Sequence, residues 1–316
     1  MARGKSWAPS GITSFFYSSP IDPESLRDED LLFVGGYGGG MCLAKGVTTE
    51  KDVVKTKNSQ NQVKVIINGS LVKNPVATLK AIELFFKLFK LSLSDYEIAV
   101  NHTIEVPIGA GFGTSAAGAL STILALSQAL DLPITYLTAS HLAHIAEIRA
   151  GTGLGTVSGI ARGGVVLVES AGAPGYDYVD NLIVPDNISV ISIHYAPISK
   201  QDIIFSEERL RKINYVGKMT LTKILHSPNI FTFMREAKEF TFNAGFVTSR
   251  LGEAISTVES IKDRIIGYAQ NMIGEALHVV LYDKNVREVI SFLEKRLEDA
   301  TIFSSKIYPS GPKVIW

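Results

Sequence analysis

The residues best suited to chemistry lie in the run Pro107-Ile108-Gly109-Ala110-Gly111-Phe112-Gly113-Thr114-Ser115-Ala116-Ala117-Gly118. Three glycines alternate with other residues, so the backbone can curl with successive N–H groups turned inward. The alternating stretch Tyr96 to Val106 before the run reads as a strand. Thr114 to Leu130 after it reads as a helix. A loop in that setting offers its amides, and the positive end of the helix, to an anion. Ser115 stands at the helix start, where its hydroxyl reaches a phosphate oxygen or Mg2+, and Thr114 is placed to cap the helix. The loop lacks the Gly-Lys-Ser/Thr ending of a P-loop. It also lacks the acidic residue at the end of a second strand that a dinucleotide fingerprint carries.

The remaining elements frame that loop. Strand-like residues fill Val53 to Ile67, with a polar turn at Asn58 to Asn61, and a helix runs from Asn74-Pro75 to about Leu91 with Leu79, Ile82, Phe86 and Phe89 on one face. Thr135 to Arg149 is a helix with Leu137, His141, His144, Ile145 and Ile148 facing inward, followed by a strand at Gly163 to Glu169. Gly35 to Gly40 reads equally as a ligand contact or a tight turn. Beyond a loop at Ala171 to Tyr178 come a strand at Ile188 to Tyr195 and helices at Ser206 to Asn214, Ile230 to Phe242 and Val247 to Ser260. A strand, helix and strand follow at Ala276 to Tyr282, Val286 to Glu298 and Thr301 to Ile307. The expectation is an α+β protein of two packed halves, residues 1–175 and 176–316, its last run a βαβ-like unit.

The 316 residues are 46% hydrophobic and 20% charged, with 31 basic and 31 acidic side chains. That composition is globular, and a zero net charge gives no nucleic-acid footprint. Cys42 is the single cysteine. It is read as a small core residue and fits a reducing cytoplasm. Met1 to Pro9 is polar, so no secretory signal is expected, and the apolar stretch Ala116 to Leu132 is too interrupted to span a membrane. His141, His144 and Glu147 share one helix, but each step of three residues drifts by about 60° and no further ligand is visible, so core or cleft histidines are expected rather than zinc.

The glycine loop resembles the second motif of the GHMP kinase superfamily, Pro-x-Gly-x-Gly-Leu-Gly-Ser-Ser-Ala, with Phe112 and Thr114 as mild replacements. Other segments resemble one branch of it, the archaeal pantoate kinases: Ala8 to Phe16, Gly36 to Gly46 with Thr48, His144-Ile145-Ala146-Glu147 with Gly151-Thr152-Gly153-Leu154-Gly155, Asn271 to Gly274, and Lys306 to Lys313. The resemblance implies a ribosomal-protein-like N-terminal half, a ferredoxin-like C-terminal half and an ATP cleft between them. It implies phosphoryl transfer to the 4-hydroxyl of pantoate, within coenzyme A biosynthesis. Pro107, Gly109, Ala110, Gly111, Phe112, Gly113, Thr114, Ser115 and Ala116 would hold ATP. Ser115 and Glu147 would hold Mg2+, a hard cation that accepts a few oxygens beside phosphates. Ser10 and Thr13 of the opening motif would face the acceptor. Its carboxylate calls for a cation, with Arg149 and Arg162 as candidates and Lys313 behind them.

Two positions depart from the pattern. Thr156 stands where the branch carries Asp, and Ser158-Gly159 is followed by Ile160 and Ala161 where other members place one. Phosphoryl transfer depends on positioning and charge neutralisation more than on a base, so an active kinase with Ser115, Glu147 and Thr156 as its catalytic residues is still expected. The alternatives are a kinase for homoserine, a mevalonate-like acid or a sugar, and a non-catalytic nucleotide- or metabolite-binding protein. No nucleic-acid or membrane partner is expected, and a homodimer is allowed.

Overall fold

The computed structural model describes residues 2–18, 22–56, 63–196 and 207–316. The polar turn expected at Asn58 to Asn61 and the helix start at Ser206 lie outside them. In chain order the elements are β1 (Ala2–Ser18), α1 (Asp28–Leu31), β2 (Gly36–Lys55), β3 (Val63–Ile67), β4 (Ser70–Leu71), α2 (Val76–Leu88), β5 (Tyr96–Ile104), α3 (Thr114–Leu130), α4 (Tyr136–Arg149), α5 (Thr156–Arg162), β6 (Val165–Ser170) and β7 (Tyr178–Leu182). They continue with β8 (Ile188–His194), α6 (Glu207–His226), α7 (Ile230–Ala244), α8 (Ser249–Glu259), β9 (Gly267–Gln270), β10 (Ala276–Tyr282), α9 (Val286–Glu294), β11 (Thr301–Lys306) and β12 (Lys313–Val314).

The first sheet is built on a long antiparallel ribbon of β1 and β2, in register from Ala2 opposite Val53 to Ser18 opposite Gly36, with irregularities at Pro9/Ser10 and Thr13/Phe15. β5 pairs with the second half of β2 and β6 with its first half. Helix α3 lies directly on the ribbon. It is buried all round from Ala116 to Leu126, opening with Ala116, Ala117, Gly118 and Ala119, and a side chain at Gly4 would fall 2.0 Å from the Ala125 carbonyl oxygen. Small residues on both surfaces are what permit this approach.

The second sheet has the order β11-β8-β10-β9 with every neighbouring pair antiparallel. The final strand–helix–strand run is therefore split: β10 and β11 flank β8 rather than each other, the ferredoxin-like arrangement. One core cluster joins the halves, with Phe15, Leu43 and Phe112 from the first meeting Phe233, Phe240 and Val280 from the second.

Several expectations change. Gly35 to Gly40 is not a turn, since Gly36 to Gly40 open β2. A side chain at Gly39 would fall 2.5 Å from the Phe15 ring and 2.9 Å from Phe233, so the glycines admit the aromatic core onto the ribbon. Leu137 faces solvent, and burial on α4 begins at Ala139. On α2 the buried stripe is Ala77, Thr78, Ala81, Ile82, Phe85 and Phe86, with Leu79 and Phe89 only partly covered. β7 pairs with β6, and β12 returns to β1, so the first sheet draws two strands from the stretch 176–316. Cys42 is buried, with its thiol pushed up to about 12 by burial, and its Sγ donates to the Gly159 carbonyl at 3.2 Å, as a core residue should.

Candidate active site

The glycine loop occupies the turn from β5 into α3. Gly109, Gly111 and Gly113 all adopt left-handed backbone, with φ of 77°, 79° and 61°, which curls the chain between them. Gly113 is the N-cap of α3 and supplies no side-chain cap, so the first N–H groups of the helix are open to an anion. The capping role expected of Thr114 is absent for that reason: it is already the first helical residue. Phe112 and Ala110 are buried, with the Phe112 ring 5.6 Å from that of Phe303, so these two offer backbone only.

Three elements brace the loop. Gly11 N–H of β1 donates to Phe112 O at 3.0 Å. On the α5 side, a Cβ at Gly113 would lie 2.6 Å from the Thr156 methyl. From the second half, one at Gly111 would lie 3.0 Å from Asn271 Cβ, and one at Gly274 would lie 2.4 Å from Ala110 C. The segment Asn271 to Gly274, 160 residues away in sequence at Asn271 against Gly111, thus forms one wall of the loop.

Ser115 and Glu147 come together as the spacing of their helices allows. Ser115 Oγ donates to Glu147 Oε2 at 3.1 Å, and Thr152 Oγ1 donates to Oε1 at 2.5 Å. Glu147 is 3% exposed, so its carboxylate is held by protein donors rather than by solvent. Gly153 is required beside it, since a Cβ there would fall 2.7 Å from Oε2. One buried carboxylate and one hydroxyl at an uncapped helix N-terminus are a donor set that fits Mg2+. Among the described residues no group of three or more His, Cys, Asp or Glu is placed to hold a metal ion. His141 and His144 bond instead to the carbonyls of Pro174 and Val34, each at 2.8 Å.

The acceptor residues fare differently. Ser10 is fully buried and its hydroxyl donates to Lys45 O at 2.7 Å, across the irregularity in the ribbon, so it is committed to the strand. Thr13 is partly covered and its carbonyl accepts from Met272 N at 2.8 Å. Arg149 ties down the segment after β1, donating to Asp28 Oδ1 and Leu26 O, at 2.9 and 2.7 Å, and to Pro23 O. Its charge is spent there. Arg162 is exposed, bonded to Asn181 of β7, and lies at the far end of α5 from Thr156, about 9 Å along the helix axis. Lys313 stacks its ammonium 5.1 Å from the Trp7 ring. Sequence reasoning passed over Lys218, which with Tyr17, Ser18, Tyr37, Asn214 and Tyr215 lines a cavity of about 470 Å3 at the end of the ribbon. It also passed over Thr152 and Asn271 as individual site residues, though both lay inside quoted motifs.

Thr156 opens α5 and touches the loop with its methyl, while Ile160 is fully buried in the core.

Residues 75–166, which span the loop, Ser115, Glu147 and Thr156, match the GHMP kinases N terminal domain. The chain has that domain and the GHMP kinase fold. It is 28% identical over 314 residues to a pantoate kinase of Thermococcus kodakarensis, covering 98% of this chain and 97% of that one. A pantoate kinase of Methanocaldococcus jannaschii is 28% identical over 288 residues, covering 91% and 96%. Among solved structures, a phosphotransferase related to the CoA biosynthesis pathway superposes with a TM-score of 0.84 at 26% identity, covering 99% of this chain and 98% of that one. Homoserine kinase from Cytophaga hutchinsonii does so with 0.72 at 16% identity, covering 100% and 98%, a likeness of fold.

Proposed function

We propose that this chain is an ATP-dependent pantoate kinase, transferring the γ-phosphoryl group of ATP to the 4-hydroxyl of pantoate. The observation that carries the reading is an uncapped glycine loop joined through Ser115 to the buried Glu147, in a chain that aligns nearly end to end with two pantoate kinases. The amides of Gly109 to Ser115 and the start of α3 hold the phosphates and compensate their charge. Ser115 and Glu147 hold Mg2+, which when bound neutralises charge on the transferring phosphoryl group. Thr152 orients the Glu147 carboxylate, and Thr156 orients the acceptor hydroxyl without serving as a base. We assign the acceptor carboxylate to Lys218, whose cavity adjoins Gly36; the Gly36 N–H bonds Leu154 O, two residues before Thr156. No described helix is long and apolar enough to cross a membrane.

The test is phosphopantoate formation from ATP, Mg2+ and pantoate, followed by mass spectrometry. Product is expected. No product from pantoate, but product from homoserine, a mevalonate-like acid or a sugar, moves the assignment to that acceptor. Bound ATP without turnover on any of them makes the chain a nucleotide-binding protein.

A further inference from the structure

Against the loop, three polar side chains are linked in a row. Ser14 Oγ lies 3.0 Å from His278 Nε2, and His278 Nδ1 lies 2.9 Å from Asn271 Oδ1. Ser14, His278 and Asn271 are all fully buried. They come from β1, β10 and the turn between β9 and β10, so no local sequence pattern unites them. An amide oxygen only accepts, so Nδ1 carries the hydrogen, and Nε2 of the neutral ring accepts from the Ser14 hydroxyl. Burial holds the His278 ring neutral, its pKa pushed down to about 3.

The order of groups matches a serine–histidine nucleophilic relay, but a serine with no exposed surface cannot attack a substrate. What the row does touch is the phosphate loop. Asn271 Cβ lies 3.0 Å from where a Gly111 Cβ would be, and Asn271 N and O are both bonded, to Ala276 O at 2.9 Å and from Gly274 N at 2.8 Å. With Oδ1 held by the histidine, the carboxamide cannot rotate. What lies against Gly111 is the Asn271 Cβ and backbone, with its carbonyl oxygen 3.1 Å from where a Gly111 Cβ would be; the Nδ2 is buried without a partner among the described residues.

We infer that His278 is a positioning residue for the phosphate loop: relayed from Ser14, it anchors the Asn271 side chain, and with it the Cβ and backbone that lie against Gly111, and so sets the loop's curvature from the second sheet. The inference rests on the reading of that loop as the ATP site. Nothing in it concerns the acceptor, so the effect of breaking the relay is carried by ATP alone.

The experiment compares wild type with His278→Phe, Ser14→Ala, Asn271→Ala and the double variant His278→Phe/Asn271→Ala in full-length protein. Loss of one such hydrogen bond should raise the KM for ATP about five- to tenfold in His278→Phe and about threefold in Ser14→Ala, with the KM for the acceptor within about twofold of wild type. The double variant should be no worse than Asn271→Ala, because the histidine acts through the asparagine. Ring 15N shifts of His278 in the wild-type protein should show hydrogen on Nδ1 and none on Nε2. An unchanged KM for ATP in a folded His278→Phe protein overturns the inference, as does hydrogen on Nε2. If His278→Phe does not fold, Ser14→Ala and the wild-type ring shifts decide. Wild-type protein that fails to bind ATP by calorimetry overturns the loop reading and this role with it, an outcome separate from a misassigned relay.

Discussion

Gly153→Ala tests the site without altering any group that does chemistry. The backbone at Gly153 is not left-handed, so alanine carries no conformational penalty of that kind. Its methyl would, however, sit 2.7 Å from Glu147 Oε2. An ordinary contact begins at 3.4 Å, so the carboxylate must retreat by about 0.7 Å. It cannot do so freely, because Thr152 and Ser115 hold its two oxygens. Misplacement by about 1 Å at a reacting centre costs on the order of 10²-fold, so a loss in kcat of about 10- to 100-fold is expected, or about 1.4–2.7 kcal/mol. The assay is steady-state ADP release with Mg2+ varied, with ATP affinity measured in parallel. The Mg2+ requirement should rise along with the loss of kcat, while ATP affinity stays within about threefold, since the loop amides are untouched. Gly252→Ala, where nothing lies within 4 Å, serves as the neutral control. Wild-type kcat and wild-type Mg2+ dependence in Gly153→Ala would refute the role given to the Glu147 carboxylate.

Other perturbations separate the remaining roles. Glu147→Gln should lower kcat by about 10²–10³-fold with a smaller loss of ATP affinity, because a ligand at the transferring phosphoryl group acts mainly in the transition state; near-normal turnover would make the carboxylate structural. Thr156→Asp should change the shape of the pH–rate profile of an already active enzyme, by general-base assistance worth at most about 10²–10⁴-fold; activity appearing only in the variant would contradict the base-free reading. Lys218→Ala should raise the KM for pantoate about 10-fold or more and leave that for ATP unchanged, the loss of one charge-assisted contact. Lys51 lies on β2, fully enclosed, and its Nζ has no partner among the described residues. Burial holds its pKa well below the usual lysine value, so the unfolded chain binds the extra proton and stability rises with pH up to the unfolded lysine pKa of about 10.5. Lys51→Met should raise the unfolding free energy at neutral pH by about 1–3 kcal/mol and flatten that slope in denaturant titrations from pH 7 to 10.

What the sequence determined by itself was local. The extent of α3, Thr114–Leu130, follows from its largely apolar, alanine- and leucine-rich composition, and the loop before it from three alternating glycines that take up a left-handed curl. Both rest on backbone preferences written within a dozen residues, and Thr135 likewise caps α4 through its own hydroxyl, accepting from the Thr138 amide at 3.0 Å. Short or glycine-flanked elements such as α5, β7 and β9 carry too few residues for a period to show, and their form is decided by what they pair with. The side chains divided along the same line. Ser115 and Glu147 could be matched because each sits on a helix whose register is legible. Arg149 could not, because its fate depends on Asp28, 121 residues earlier, reaching the same spot first. The wall that Asn271 makes against Gly111, and the histidine behind it, exist only once the second sheet docks on the first. The docking is driven by burial of the shared aromatic core, which has no signature in any single stretch of chain.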